Sequence, residues 1–271
     1  MLEGAAEWQR AKSEEGYHSI TWPTEYGGLD LPIEYARAFA RLESDYITPS
    51  RHETFSVTTR LIAPTVLHYG TDDQKDELLS DLFSARIYCC QLFSEPGTGS
   101  DLAGLGCKAV KDGDEWVING QKVWSSGAQF SQWGELIART HFDQPKHKGM
   151  TAFIIPMDLP GIEIRQIRQM SGGTSFNEVF FSDVMFPDNL RLGPEGEGWG
   201  VALTTLSFER DHSDSDGGGR AGGKWSQLLD TAKSLDLLQD PQIRQRLMEV
   251  YTQTQIQRFV NRRAADLRKS G

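Results

Sequence analysis

The chain has 271 residues, 38% of them hydrophobic and 24% charged, which is a globular composition with enough residues for a sizeable core. Its formal net charge of -10 argues against a nucleic-acid-binding protein, because such proteins usually carry a basic face that neutralises phosphates. The cysteines Cys89, Cys90 and Cys107 form no CxxC pair and lack histidine companions at metal-ligand spacing, so no metal site is expected.

The N-terminus has neither a basic start nor the apolar run of a signal peptide. No apolar stretch approaches the length that crosses a bilayer. We therefore expect a cytoplasmic protein with reduced thiols and no membrane span.

Residues 1–87 are predicted to form a helical domain. Apolar residues recur there at helical spacing, for example Tyr35, Phe39 and Leu42. Thr71 followed by Gln74 is typical of a capping box at a helix start.

Residues 88–192 are predicted to form an antiparallel β-sandwich or barrel. The dipeptides Asp112-Gly113 and Asn119-Gly120 favour tight hairpins, which would give a meander. Further strand-like runs cover 135–140, 150–156, 162–167 and 178–186.

Residues 193–271 are predicted to form a partial helical bundle, which makes the whole chain α+β. A helix resumes at Trp199, and the Ser-, Asp- and Gly-rich stretch from Asp211 to Gly223 predicts a flexible loop. Pro241 suits the first position of the last helix. Two helices bury their apolar faces poorly, so we expect a partner, either further chain or another subunit.

The segment Ser94–Asp101 packs glycines and hydroxyls into one turn, a composition that lets the main chain approach a phosphate closely. An ordinary turn is the alternative. Its glycine spacing is not a dinucleotide-binding fingerprint, because Leu102 stands at the sixth position. No nucleophile elbow, Walker A loop or HExxH helix occurs, which removes the best support for hydrolase, P-loop and zincin functions.

Two further features allow a structural or a chemical interpretation. Trp124, before Ser125-Ser126-Gly127, suits a core or sheet-edge tryptophan as well as a ligand platform. Glu209, at the end of an apolar helix, is a poised base if buried and a solvated residue if exposed.

Taken together and in this order, these segments resemble the acyl-CoA dehydrogenase family. The motifs that carry the resemblance are Thr21–Gly28, Tyr69–Lys75, Ser94–Asp101, Ile118–Trp124, Gly196–Trp199 and Phe208–Arg210. The resemblance implies a helical N-terminal domain, a β domain covering one side of FAD, and a C-terminal bundle for oligomer contacts. It also implies that this chain lacks the first helix and the end of that bundle, as in a truncated product.

By resemblance, the reaction is removal of the α-proton of an acyl-CoA by a carboxylate, with hydride transfer from the β-carbon to FAD. An electron-transfer flavoprotein is the implied electron acceptor. Gln91, Phe93 and Ser94 match positions that line the isoalloxazine, with Gln91 replacing the usual aromatic residue. Gly99 and Ser100 match the pyrophosphate and CoA-proximal turn, so Ser100 is also a substrate-binding candidate.

The remaining roles fall on the hairpin and on the first C-terminal helix. Trp124 matches the indole that packs against the flavin, and Ser126 the hydroxyl near flavin N5, where a donor stabilises charge as hydride arrives. Glu209 matches the base of one family branch, while other members place the base later in the chain. Arg210 is then structural or near the substrate rather than catalytic.

Two alternatives stay open. A non-catalytic subunit that scaffolds a heteromer would explain the unpartnered terminal helices. A flavin oxidase or monooxygenase could use the same scaffold, because fold alone does not determine function.

Overall fold

A computed structural model describes residues 2–43, 45–49, 52–210 and 225–269. The N-terminal region is helical, as the apolar spacing predicts. Its helices are α1 (Leu2–Glu14), α2 (Ile33–Glu43), α3 (Glu53–Ser56), α4 (Ala63–Tyr69) and α5 (Asp72–Phe83).

The capping box predicted at the start of α5 is confirmed. The Thr71 hydroxyl accepts from the Gln74 backbone N–H at 3.3 Å, and the Gln74 side chain accepts from the Thr71 N–H at 3.0 Å. The Gln74 amide also donates to the backbone carbonyls of Asn189 and Arg191. One side chain therefore both starts the helix and ties it to the end of the β region.

A π-helical segment, Val57–Ile62, joins α3 to α4 without a break. Pro64 follows it within the first turn of α4. Because proline has no N–H and its ring clashes with the preceding turn, a regular α-helix cannot continue through it. A widened turn directly before the proline accommodates the ring.

The middle region is one mixed sheet of eight strands. They are β1 (Cys89–Leu92), β2 (Lys108–Asp112), β3 (Glu115–Lys122), β4 (Trp133–Arg139), β5 (Met150–Pro156), β6 (Ile162–Ile167), β7 (Phe176–Pro187) and β8 (Arg191–Leu192). The order is β6-β7-β3-β2-β4-β5-β8, with β1 beside β4. Most pairs are antiparallel as predicted, but β1 and β2 run parallel to β4.

One of the two predicted hairpins forms. Asp112 pairs with Glu115 across a tight turn in which Gly113 has φ +62°. The hairpin predicted at Asn119-Gly120 is wrong, because β3 runs straight through these residues with a register shift against β7. Gly120, at φ +151°, forms a bulge where a Cβ would collide with the backbone of Cys107.

The sheet separates two apolar clusters. On β4, Ile137 packs with the cluster of α4 and α5, while its neighbours Leu136 and Ala138 pack with the cluster around Trp116 and Phe153. Alternate strand residues face opposite sides, so both faces of β4 are covered. Each fully buried leucine, isoleucine or phenylalanine contributes roughly 1.5–3 kcal/mol.

Helix α6 (Gly198–Arg210) completes the compact unit formed by residues 1–210. A second unit, residues 211–271, contains α7 (Trp225–Ser234) and α8 (Pro241–Lys269). Helix α8 begins at Pro241 as predicted, and the Asp240 carboxylate accepts from the Gln242 N–H at 2.7 Å. The loop predicted for 211–223 lies outside the described residues. No helix in the described ranges is long and apolar enough to span a membrane.

Candidate functional site

The glycine-hydroxyl turn after β1 is held by a buried ion pair. Lys122 is fully buried, and its Nζ lies 2.9 Å from Oε1 of Glu95 and 3.0 Å from the Phe93 carbonyl. The Glu95 carboxylate also accepts from the N–H groups of Gly106 (2.7 Å) and Cys107 (2.9 Å). Charge-assisted bonds of this kind are the stronger hydrogen bonds of proteins, so the turn has a defined shape.

The turn and the Trp124 loop, which directly follows β3, meet through the backbone. The N–H of Val123 donates to the carbonyl of Ser94 at 2.8 Å, which places Trp124 next to the start of the turn. Trp124 has φ +62°, a left-handed conformation that is unusual for a bulky residue. Its side chain is 58% exposed and meets the Phe176 ring edge-on at 6.0 Å. The indole is thus presented at the surface by a strained backbone, which is a common feature of ligand sites.

The loop after Trp124 is held from two sides. The Ser125 N–H donates to the Asn177 carbonyl, and the Asn177 side chain donates back to the Ser125 carbonyl at 2.9 Å. Gly127 has φ +68°, and a Cβ there would collide with the hydroxyl of Thr54, just ahead of the π-helical segment. The position of Ser126, between these anchors, is therefore closely defined.

Several buried polar atoms around these two loops have no hydrogen-bond partner within the described residues. They are Gln91 Nε2, Thr98 Oγ1, Ser125 Oγ and Asn177 Oδ1. An unpaired buried polar group costs roughly 1–3 kcal/mol. A ligand that offers donors and acceptors along a planar edge would fit this arrangement of a flat exposed indole and unsatisfied polar atoms.

The structure brings some predicted site residues together. Phe93 is buried and Ser94 is half-buried where the turn meets the end of β3. Ser126 is half-buried in the loop that follows Trp124. Gly99 and Ser100 lie exposed on the turn. Asp101, the next residue, forms a 2.8 Å ion pair with Lys146 that anchors this end of the turn.

Glu209 lies in the last turn of α6 and is exposed, with Arg210 ending the helix. The orientation of the Arg210 side chain is not described. Thr205, one turn before Glu209 on the same helix face, is fully buried. Its contacts therefore set the position of the turn that carries Glu209.

Sequence reasoning missed Glu135, a fully buried glutamate on β4. Its Oε1 is 2.6 Å from Oγ1 of Thr205, and its Oε2 has no partner in the described part of the chain. Burial raises the pKa of Glu135 to about 8, and the Thr205 hydrogen bond offsets part of that rise. The available signal was a carboxylate inside the otherwise apolar run from Gly134 to Ala138.

A cavity of about 450 Å³ lies beside the loop that follows Trp124 and is lined in part by Ala128, Gln129 and Met157. None of the predicted site residues lines it, so this cavity does not mark the site that the two loops form. The described residues contain no group of three histidines, cysteines or carboxylates arranged to hold a metal ion.

Two family models match this chain. The acyl-CoA dehydrogenase N-terminal domain matches residues 3–86, and the acyl-CoA dehydrogenase middle domain matches residues 90–184. Acyl-CoA dehydrogenase IpdE1 of Mycolicibacterium smegmatis is 35% identical over 97% of this chain and 69% of its own length.

Solved structures with a similar fold include a steroid ACAD and a complex of two named proteins. The G363A variant of the Tcur3481-Tcur3483 steroid ACAD superposes with a TM-score of 0.82 at 30% identity, covering 94% of this chain and 66% of that chain. The ChsE4-ChsE5 complex from Mycobacterium tuberculosis superposes with a TM-score of 0.73 at 26% identity, covering 97% of this chain and 68% of that chain. The present chain thus spans about two thirds of the length of these relatives. The two matched domains and the 35% identity to a relative that the chain covers to 69% show that the chain belongs to the acyl-CoA dehydrogenase family.

Proposed function

We propose that this protein binds FAD and catalyses the α,β-dehydrogenation of an acyl-CoA thioester. A bound flavin would supply the acceptor for the hydride that leaves the β-carbon of the substrate. The single observation that carries the proposal is the 2.8 Å bond from Val123 to Ser94, because it joins the two loops into one site.

The residues around this junction fit a flavin. The exposed Trp124 indole offers a flat apolar face, and the hydroxyls of Ser94 and Ser126 offer donors beside it. The unpaired Gln91 amide would face the ring edge from β1. The exposed turn at Gly99 and Ser100 leaves its backbone open to a phosphate.

Glu209 is the proposed base. It would take the α-proton of the thioester onto its carboxylate while the β-hydride leaves on the opposite face, giving a trans-2-enoyl-CoA. An exposed carboxylate is a weak base, so an acyl chain that covers Glu209 would strengthen it by excluding water. Arg210 is proposed to lie near the substrate, and an electron-transfer flavoprotein is the proposed acceptor.

Anaerobic titration tests the proposal. The purified chain is loaded with FAD, and the flavin absorbance is followed as acyl-CoA substrates are added. We expect bleaching of the flavin, at least about a hundredfold slower in Glu209→Gln, because general-base contributions are typically 10²–10⁴-fold.

The control is Glu249→Gln, which makes the same change at an exposed helical glutamate. It should bleach like the parent. Equal bleaching in Glu209→Gln would assign the base elsewhere, and rapid peroxide formation in air would indicate the oxidase alternative.

A second candidate is a non-catalytic subunit of a heteromer. Large apolar side chains on α8 are exposed, namely Met248, Val250, Tyr251, Ile256, Phe259, Val260 and Leu267. A similar fold occurs in the ChsE4-ChsE5 complex, an assembly of two named proteins. Light scattering during size-exclusion chromatography tests this idea, since a monodisperse monomer that bleaches with acyl-CoA would contradict it.

A further inference from the structure

A continuous chain of oxygen atoms crosses the interface between the sheet and two helices. Oε1 of Glu135 on β4 lies 2.6 Å from Oγ1 of Thr205 on α6. That hydroxyl also lies 3.2 Å from the carbonyl of Val201 on α6 and 3.0 Å from Oγ1 of Thr65 on α4, which in turn lies 2.8 Å from the carbonyl of Leu61. All three side chains are fully buried.

A count of hydrogens favours one arrangement of this chain. Each of the four contacts is favourable when one hydrogen lies between its two oxygens. The hydroxyls of Thr65 and Thr205 supply one hydrogen each. The carbonyls of Leu61 and Val201 supply none. A proton on Glu135 therefore fills a third contact, the shortest one at 2.6 Å, and leaves only the longest one at 3.2 Å without its own hydrogen.

We propose that Glu135 is a positioning residue, held as a neutral carboxylic acid that donates to Thr205, which donates to Thr65, which donates to the Leu61 carbonyl. This arrangement fixes the last two turns of α6 against the sheet. It rests on the proposed function in one respect, that Glu209, one turn beyond Thr205, is the base.

The surroundings of Glu135 favour the neutral acid. On β1, Cys89 has a pKa raised well above its ordinary value, chiefly by burial. The residue of β5 that pairs with Glu135 is the apolar Ile154. On helix α4, Thr65 faces Thr205, and the one histidine of that helix, His68, is exposed to solvent. On α6, Glu209 is also exposed. The π-helical segment presents Thr58, which is buried, and Arg60, which is exposed.

The same carboxyl also connects to the proposed flavin site. Gln91 and Glu135 are register partners on parallel strands, so both side chains lie on the same sheet face. Gln91 Nε2 and Glu135 Oε2 are a donor and, in the neutral acid, a carbonyl acceptor, and neither has a partner in the part of the chain described. A single buried water between them would satisfy both atoms.

A vibrational measurement tests the protonation state without requiring activity. Infrared difference spectra of the full chain, recorded between pH 6 and pH 9.5, should show the carbonyl band of a protonated carboxylic acid that disappears as pH rises. Glu135→Gln should lack this band. Glu178→Gln is the matched control, because Glu178 is half-buried and also accepts a side-chain hydrogen bond, from Gln121 at 3.0 Å.

Kinetics of the FAD-loaded chain test the positioning role. Thr205→Val should lower kcat roughly ten- to a hundredfold, since misplacement by about 1 Å can cost that much. KM should change less than about twofold, and Thr205→Ser should restore kcat. In the parent, kcat should fall above about pH 8 as Glu135 ionises, and this fall should be absent in Glu135→Gln, whose amide can still donate to Thr205.

The two measurements separate the possible failures. Absence of the acid band at pH 6 overturns the neutral-acid assignment, whatever the chain catalyses. A band without any dehydrogenation leaves the hydrogen chain standing and removes the proposed function. An active enzyme whose kcat and alkaline limb are unchanged in Thr205→Val and Glu135→Gln removes the positioning role.

Discussion

The nearly buried Glu95 and the fully buried Glu135 are accommodated in opposite ways. Glu95 accepts three N–H donors, one of them from the fully buried Lys122. Within the described residues, the Glu135 carboxyl has one hydrogen-bond partner, the hydroxyl of Thr205. The first arrangement balances a negative charge with a cation and main-chain dipoles, whereas the second retains the proton.

Glu95 and Glu135 therefore serve different purposes, although both are glutamates with little exposure to solvent. An ion pair tied to Gly106 and Cys107 has several directional bonds, so it defines the shape of the turn beside Trp124. A neutral acid has one hydrogen to donate, so it connects elements while staying sensitive to pH. Three substitutions test this contrast.

The largest effect is expected from Glu135→Gln, as a difference in stability that depends on pH. The folded pKa of Glu135, about 8, exceeds its ordinary value of 4.5, so unfolding releases a proton between these values and the parent loses stability as pH rises through them. At about 1.4 kcal/mol per pKa unit, the loss reaches up to about 5 kcal/mol above pH 8. Urea unfolding of parent and variant at pH 5 and pH 8 measures it.

The stability of Glu135→Gln relative to the parent should increase as pH rises from 5 to 8. Glu178→Gln, the control, should keep the pH dependence of the parent. Parallel stability curves for Glu135→Gln and the parent would show that Glu135 is ionised in the fold.

The next largest effect is expected from Lys122→Met, which leaves the nearly buried Glu95 carboxylate without its cation. Removing one partner of a buried pair costs about 3–5 kcal/mol. Urea unfolding at pH 7 measures the loss, and FAD affinity should fall because the turn loses its main constraint.

Lys146→Met provides the comparison. Its ion pair with Asp101 has the same length to within 0.1 Å but is exposed on both sides (53% and 62%), so it should cost less than about 1 kcal/mol. Equal losses in the two variants would contradict a special role for burial.

The smallest effect is expected from Asp188→Asn. Hydrogen bonds from Arg191, aided by Trp116, lower the pKa of this partly exposed carboxylate to about 2. The stabilisation by the Asp188 carboxylate is present above its ordinary pKa of 3.8 and is lost as pH falls through about 2. We expect a loss of about 1–2 kcal/mol at pH 7 that shrinks below pH 4, measured by thermal unfolding, with the exposed Asp158→Asn unchanged.

Local chemistry made much of the fold predictable. The Thr71–Gln74 capping box depends on atoms three residues apart, and the strands at 150–156 and 162–167 follow from short apolar patterns. The roles of Trp124 and Glu209 come from resemblance to the family and stay predictions. Their test lies in ligand binding and kinetics.

The error at Asn119-Gly120 shows where local rules end. The dipeptide favours a hairpin, but β7 pairs along the whole of β3 and takes up the extra residue as a bulge. Close approach of Cys107 then requires glycine at position 120. Tertiary pairing outweighed a local preference because a full ladder satisfies more backbone groups than one turn does.

The helical start, the β-rich middle, the family motifs and the first turn of α8 could be read from the sequence, because each depends on neighbouring residues. The protonation state of Glu135 depends on tertiary packing. Its partner Thr205 is 70 residues away, and the second hydroxyl, Thr65, is 140 residues from Thr205. Burial and hydrogen-bond supply set the charge of a carboxyl group, and both arise only when distant segments pack together.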